Sequence, residues 1–275
     1  MTEERIQKII ARSGLCSRRD ADQMVADGRV TVDGRVAEPG EKADLSTSRI
    51  KVDSRTVKAP EALRYFLLYK PRAVMTTCDD PEERKTVLDI VRPVVRERVY
   101  PVGRLDYHSE GLLILTNDGE LAARITHPRF GVVREYLVKV RGDLTPSEYR
   151  KLMAGTSVEG RHVKPRLAER SSKVRGGKAT WWRVEVMEGR THEVRELFLC
   201  AGHHVQRLRR SAIGPLRDDS LKPGDFRTIT AKELEALRSA SSKSRRPPTR
   251  RPARSRGKGP ASRNGTARKR PERKR

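Results

Sequence analysis

Cysteine is scarce in this chain: three residues, Cys16, Cys78 and Cys200, widely separated and odd in number among 275. That usage suits reduced thiols and excludes a disulfide framework or a zinc knuckle built on cysteine pairs. The one adjacent histidine pair, His203-His204, has no carboxylate or thiol at ligand spacing, so it reads as a strand or loop feature and no metal site is expected. Long apolar runs are missing too. Phe66-Leu67-Leu68 and residues 112 to 115 fall far short of the about 20 residues that a spanning helix needs. Residues 1 to 11 carry no apolar signal-peptide core. The expectation is a cytoplasmic, monomeric chain with no membrane partner. Acid is also in deficit: 36 Asp and Glu stand against 61 Lys and Arg, a net charge of +25. Such an excess points to a polyanion, nucleic acid above all, as the partner.

A length of 275 residues exceeds the usual single domain, so two domains and an appendage are expected. Residues 3 to 12 have helical spacing, with Ile6, Ile9 and Ile10 on one face, and Ser13-Gly14 ends them. Ser17 and Asp20 have capping-box spacing and open a second helix that Gly28 closes. Residues 30 to 36 read as a tight hairpin around Asp33-Gly34, and residues 49 to 52 as a further strand. The module spans residues 1 to 53 and gathers Arg5, Lys8, Arg18, Arg19 and Arg29 into a basic face suited to RNA phosphates, although charge alone fits a solvated face equally well. Residues 54 to 63 contain a proline and no periodicity, and are expected to be a linker.

A second domain is expected over residues 64 to 238, in short strands alternating with short helices. From residue 239 onward there are 15 Lys and Arg, one acid and no large apolar residue. Such a tail cannot bury a core and is expected to be disordered, raising nucleic-acid affinity in a salt-dependent way.

The stretch expected to carry chemistry is Gly103-Arg104-Leu105-Asp106, followed by the apolar strand 112 to 115 and Asn117-Asp118-Gly119. Asp106 sits between a buried strand and a glycine-bracketed turn, which would fix a carboxylate as nucleophile or base. An Asp at such a turn more often accepts backbone hydrogen bonds. Tyr136 alternates inward with Val138 and Val140, so its ring either packs in the core or stacks on an extruded base. Arg190, His192 and Arg195 sit before and within a helix expected over residues 191 to 200. They can bind a phosphate or pair with a carboxylate across a cleft.

Taken together, these segments resemble a known family. Ser17-Arg18-Arg19-Asp20-Ala21 with residues 28 to 34 resembles the alpha-L, ribosomal protein S-four-like, RNA-binding domain. The motifs around Asp106, with Tyr69-Lys70-Pro71, Arg134-Glu135-Tyr136-Leu137-Val138 and residues 188 to 195, resemble in order those of the RsuA/RluB family of rRNA pseudouridine synthases. The resemblance implies an α+β chain: the small helix-helix-hairpin domain, then a mixed, mainly antiparallel sheet with helices on one side. The implied reaction breaks the N-glycosidic bond of a uridine and rejoins the ring through carbon, without cofactor or metal.

By the same resemblance Asp106 is the nucleophile or base, Tyr136 stacks on the flipped uracil, Arg195 pairs with Asp106, and Arg104 helps extrude the base. Arg5, Lys8, Ser17, Arg18, Arg19, Arg29, Lys70, Arg104, Arg190 and His192 are expected to contact ribosomal RNA, with the large subunit favoured. The chain departs from the family pattern at Thr191-His192 and Glu196, read as changes in RNA contact. Two other readings are a non-catalytic ribosome-assembly factor on the same fold, which the joint presence of Asp106, Tyr136 and Arg195 argues against, and a DNA-compacting protein, which only the tail favours.

Overall fold

The computed structural model describes residues 3 to 171 and 179 to 242. The N-terminal module starts with a two-residue strand, β1 (Glu4–Arg5), and α1 (Ile6–Arg12), whose Ile6, Ile9 and Ile10 face inward as their spacing requires. The second helix, α2 (Arg18–Ala26), begins at Ser17 with a reciprocal cap: Asp20 N donates to Ser17 Oγ and Ser17 N to Asp20 Oδ2, each over 3.1 Å. Next come β2 (Val30–Val32), β3 (Arg35–Val36), β4 (Lys42–Ala43), β5 (Ile50–Val52) and β6 (Arg55–Thr56). β1 pairs with β4, and the other four form a sheet in the order β3-β2-β5-β6.

The domain boundary differs from expectation. Asp53 and Ser54 both have positive φ, 45° and 68°, and turn the chain back as β6, after which Val57 is buried in the module core. The residues from 54 to 57 therefore finish the first domain. Glu61, farther along the connection, fastens both sides: its N–H donates to Arg12 O (2.9 Å) and its Oε2 accepts from Arg98 N (3.0 Å).

The second domain is built on β7 (Tyr65–Lys70), β8 (Tyr100–Val102), β9 (Glu110–Thr116), β10 (Arg134–Arg141), β13 (Leu167–Arg170), β14 (Ala179–Val186), β15 (Val205–Ile213), β16 (Leu216–Arg217) and β17 (Phe226–Thr228), with a small separate hairpin of β11 (Thr156–Val158) and β12 (Arg161–Val163). The main order is β13-β14-β10-β15-β9-β7-β17; β8 pairs with β9 and β16 with β15. Every pairing is antiparallel except β15 with β9. All seven residues of β9 are buried, which explains an apolar run without alternation.

The helices are α3 (Val87–Val91), α4 (Gly119–Thr126), α5 (Pro146–Ala154), α6 (Glu193–Cys200) and α7 (Ala231–Ala240). They do not share one side of the sheet, contrary to expectation. Leu112 and Ile114 of β9 join α4 and α7 in one core, while Leu113 and Leu115, projecting from the opposite face, join α3 in another. α5 and α6 cover the Tyr136, Val138 and Val140 face of β10. Because β9 lies within the sheet between β15 and β7, both of its faces need cover, and helices on one side would have left half of its apolar side chains in water.

The last helix continues through residues 239 and 240, and Ser241 is buried. The expected tail therefore starts later than residue 239, and its residues 243 to 275 lie outside the described residues. Among the described residues no helix is long and apolar enough to cross a membrane.

Candidate active site

Between β8 and β9 the chain makes the loop that carries Asp106. Gly103 enters it with φ 77° and Gly111 leaves it with φ 113°. Gly111 is required by close approach: a Cβ there would lie 2.3 Å from Arg210 O on the parallel neighbour β15. The loop is tied down along its length. Ser109 N donates to Asp106 O (2.9 Å), Thr76 Oγ1 to Leu105 O (2.7 Å), and Ala73 N to Tyr107 O (2.8 Å). Leu105 is buried in the α5–α6 core.

Lys70, at the end of β7, anchors the loop from beneath. Its side chain is fully buried and its Nζ donates to Pro71 O (3.0 Å), Asp106 O (3.1 Å) and Ser109 O (2.9 Å). Burial pushes the ammonium down to about 8, against the partial support of Asp106. Lys70 was expected to touch RNA. With no exposed surface and every bond made to backbone carbonyls, it cannot; its place is structural.

The Asp106 side chain is partly open to solvent and stands between two basic groups. Arg195 Nε lies 3.5 Å from Oδ2, and His192 Nε2 lies 3.5 Å from Oδ1. Ser109 Oγ links the pair, donating to Asp106 Oδ2 and accepting from Arg195 Nη2, each over 3.3 Å. Arg195 also donates to Val205 O (3.3 Å), which holds the guanidinium between α6 and β15. The pairing expected between Asp106 and Arg195 is thus present. The Arg195 guanidinium and the Ser109 hydroxyl both meet Oδ2 and so fix the direction in which the carboxylate faces.

Tyr136 lies on the same cleft, 7% exposed, with Arg104, Arg190, His192 and Arg210 also in the wall. Arg104 is exposed. Arg190 is already engaged by Glu159 (3.3 Å) and Glu188 (3.8 Å). His192 has φ 55°, a left-handed conformation, so α6 starts at Glu193 rather than at the expected residue 191. The turn before it is closed by Glu193, whose Oε2 accepts from Gly189 N (2.7 Å) and Arg190 N (3.0 Å). Burial raises the Glu193 carboxyl above its ordinary range, opposed by those two N–H groups.

On the N-terminal module Arg5, Arg18 and Arg19 are exposed. Lys8 is paired with Glu4 (2.6 Å) and Arg29 with Asp53, so part of the basic face is internally neutralised. The Ser17 hydroxyl, expected at the RNA surface, is occupied as the cap of α2. Ser109, Thr76 and Arg210 were not anticipated. Ser109 is the one with a usable signal, standing three residues after Asp106. Arg210 had none, being one of three arginines in a single strand. Among the described residues no group of three His, Cys, Asp or Glu could hold a metal ion.

The pattern of the RNA pseudouridylate synthase family matches residues 64–199, and that of the S4 domain matches residues 4–47. A ribosomal large subunit pseudouridine synthase B of Bacillus subtilis is 38% identical over 237 residues, covering 86% of this chain and 96% of that one. The protein of the same name from Vibrio cholerae is 37% identical over 240 residues, covering 86% of this chain and 74% of its own. Among solved structures, a pseudouridylate synthase superposes with a TM-score of 0.60 at 26% identity, covering 85% of this chain and 99% of the other. With its S4 domain, its mixed-sheet second domain and these relatives, the chain belongs to the RsuA/RluB family of RNA pseudouridine synthases.

Proposed function

We propose that this chain converts a specific uridine of ribosomal RNA, in the large subunit, to pseudouridine, working in the cytoplasm as a monomer. The observation that carries the reading is the seating of Asp106: a carboxylate on a braced loop, with Arg195 Nε 3.5 Å from Oδ2, in a cleft shared with Tyr136. Asp106 acts at the sugar as nucleophile or base, and Arg195 keeps it oriented. Tyr136 offers its ring to the extruded uracil, and the exposed Arg104 helps displace the base from its helix. Arg5, Arg18 and Arg19 bring the folded RNA to the enzyme through its phosphates. The choice of the large subunit follows the Bacillus subtilis and Vibrio cholerae relatives, whose names state it of themselves.

Mapping pseudouridines in ribosomal RNA from cells with and without the gene tests the proposal. One or a few positions in large-subunit RNA are expected to revert to uridine. Identical maps would refute it, and a change confined to the small subunit would refute the choice of subunit.

A further inference from the structure

Arg210 lies within β15 and is 3% exposed, yet its side-chain bonds go to backbone alone: Nε donates to Leu112 O (2.7 Å) and Nη1 to Arg104 O (3.4 Å). Nη2 is buried and has no partner. Two other buried cations of this region, Lys70 and Arg134, also bond to carbonyl oxygens, but neither leaves a buried donor unmatched. A buried guanidinium without a counter-ion is costly, and an unmatched donor of this kind calls for an explanation. Its position supplies one. Arg210 pairs with Tyr136 across β10 and β15, so the two side chains leave the sheet on the same face, and both line the cleft of Asp106. The two carbonyls that hold it belong to segments on either side of Asp106, so the guanidinium is fixed relative to the loop.

A rigid donor beside a stacking ring fits a planar heterocycle with a carbonyl oxygen that gains negative charge. We propose that Arg210 Nη2 donates to a ring carbonyl oxygen of the target uracil and stabilises the ring while it is detached from the sugar. This rests on the reading that the Asp106 cleft isomerises uridine, with Asp106 taken as nucleophile. When a carboxylate oxygen bonds to C1′, the C1′–N1 bond breaks and its electron pair stays on the ring, spread over O2 and O4. In the return step C5 supplies an electron pair to C1′ and displaces the carboxylate, the C5 proton leaves, and N1 takes up a proton. The oxygens carry most charge between these steps, when a fixed guanidinium contributes most.

The test is single-turnover pseudouridine formation on an RNA carrying the mapped target, with wild type, Arg210→Lys and Arg210→Gln, alongside melting temperature and RNA affinity. A folded variant is expected to lose about 10²–10³-fold in rate, as for removal of one oxyanion donor, with RNA affinity unchanged. Replacing O2 or O4 of the target by sulfur, a weaker acceptor, is expected to slow wild type about tenfold at one of the two positions. Arg210→Lys should show no further loss at that position, because the contact is already gone. A folded variant working at the wild-type rate overturns the proposal, and so does a wild type indifferent to both sulfur substitutions. If neither variant folds, the sulfur series on wild type decides: slowing at one of the two positions supports the contact, and indifference at both overturns it. Wild type that forms no pseudouridine at all sinks the reading of the cleft itself, and Arg210's role with it.

Discussion

At the scale of single residues the site is organised by two cations with different duties. Arg195 meets the Asp106 carboxylate, whereas Lys70 holds the backbone of the same residue. Arg195→Met is expected to lower the single-turnover rate by about 10²-fold, the scale of one lost charged contact at a reacting group, without lowering the melting temperature to match. A loss of rate that merely tracks unfolding would count against the pairing. Lys70→Met strips donors from three carbonyls and is expected to cost roughly 2–4 kcal/mol of stability, read from denaturant unfolding.

Lys70 also has a pH signature. Its folded value, about 8, lies below the ordinary 10.5, so between those values the unfolded chain holds a proton that the folded chain has released. The contribution of Lys70 to stability therefore rises with pH across that window and is flat below it. Comparing wild type with Lys70→Met from pH 7 to 10 should show the gap in stability widening; a constant gap would contradict the buried setting.

Among elements, β10 does the most, because its two faces serve different ends. Tyr136 faces the cleft, while its neighbour Glu135 is buried among Arg217 (2.6 Å), Arg183 (3.1 Å) and Ser211 (2.7 Å). Burial alone would raise the Glu135 carboxyl, but these partners hold it at about 2. The stability it contributes is present above the usual carboxylate range near 4.5 and is lost as pH falls from there toward 2. Glu135→Gln leaves two partly exposed arginines without their shared anion and is expected to cost about 1–3 kcal/mol at neutral pH, with a shallower acid limb in melting temperature.

Such elements differ in how far they could be read in advance. The apolar run of β9, the alternation of β10 and the cap of α2 are local patterns, and all lie near their expected places. The meeting of Asp106, Tyr136 and Arg195 has no local signal; it was anticipated from the order of motifs, and the crossing of β9, β10 and α6 produces it. The β6 turn was missed because Asp53-Ser54 lacks the glycine that usually marks positive φ. The RNA contact expected of Lys70 came from the resemblance alone, and only the depth of β7 shows that its side chain is buried.

For the molecule as a whole, affinity and chemistry are carried by separate parts of the chain. The 15 basic residues of the tail all lie beyond residue 242, so truncation there removes the charge while sparing α7 and the buried Ser241. That truncation is expected to weaken RNA binding most at low salt and to reduce the slope of log K against log salt, leaving the modified position where it was. A shifted target would mean that the tail selects the site.

The central claim is that Asp106 performs the isomerisation. It is tested most directly by incubating purified protein with unmodified large-subunit ribosomal RNA and mapping pseudouridine at single-nucleotide resolution. Wild type should modify the position lost when the gene is removed, and Asp106→Asn should leave it as uridine while binding the same RNA with nearly wild-type affinity. Pseudouridine formed by Asp106→Asn at the wild-type rate, or a wild type that binds this RNA and changes no uridine, would contradict the account.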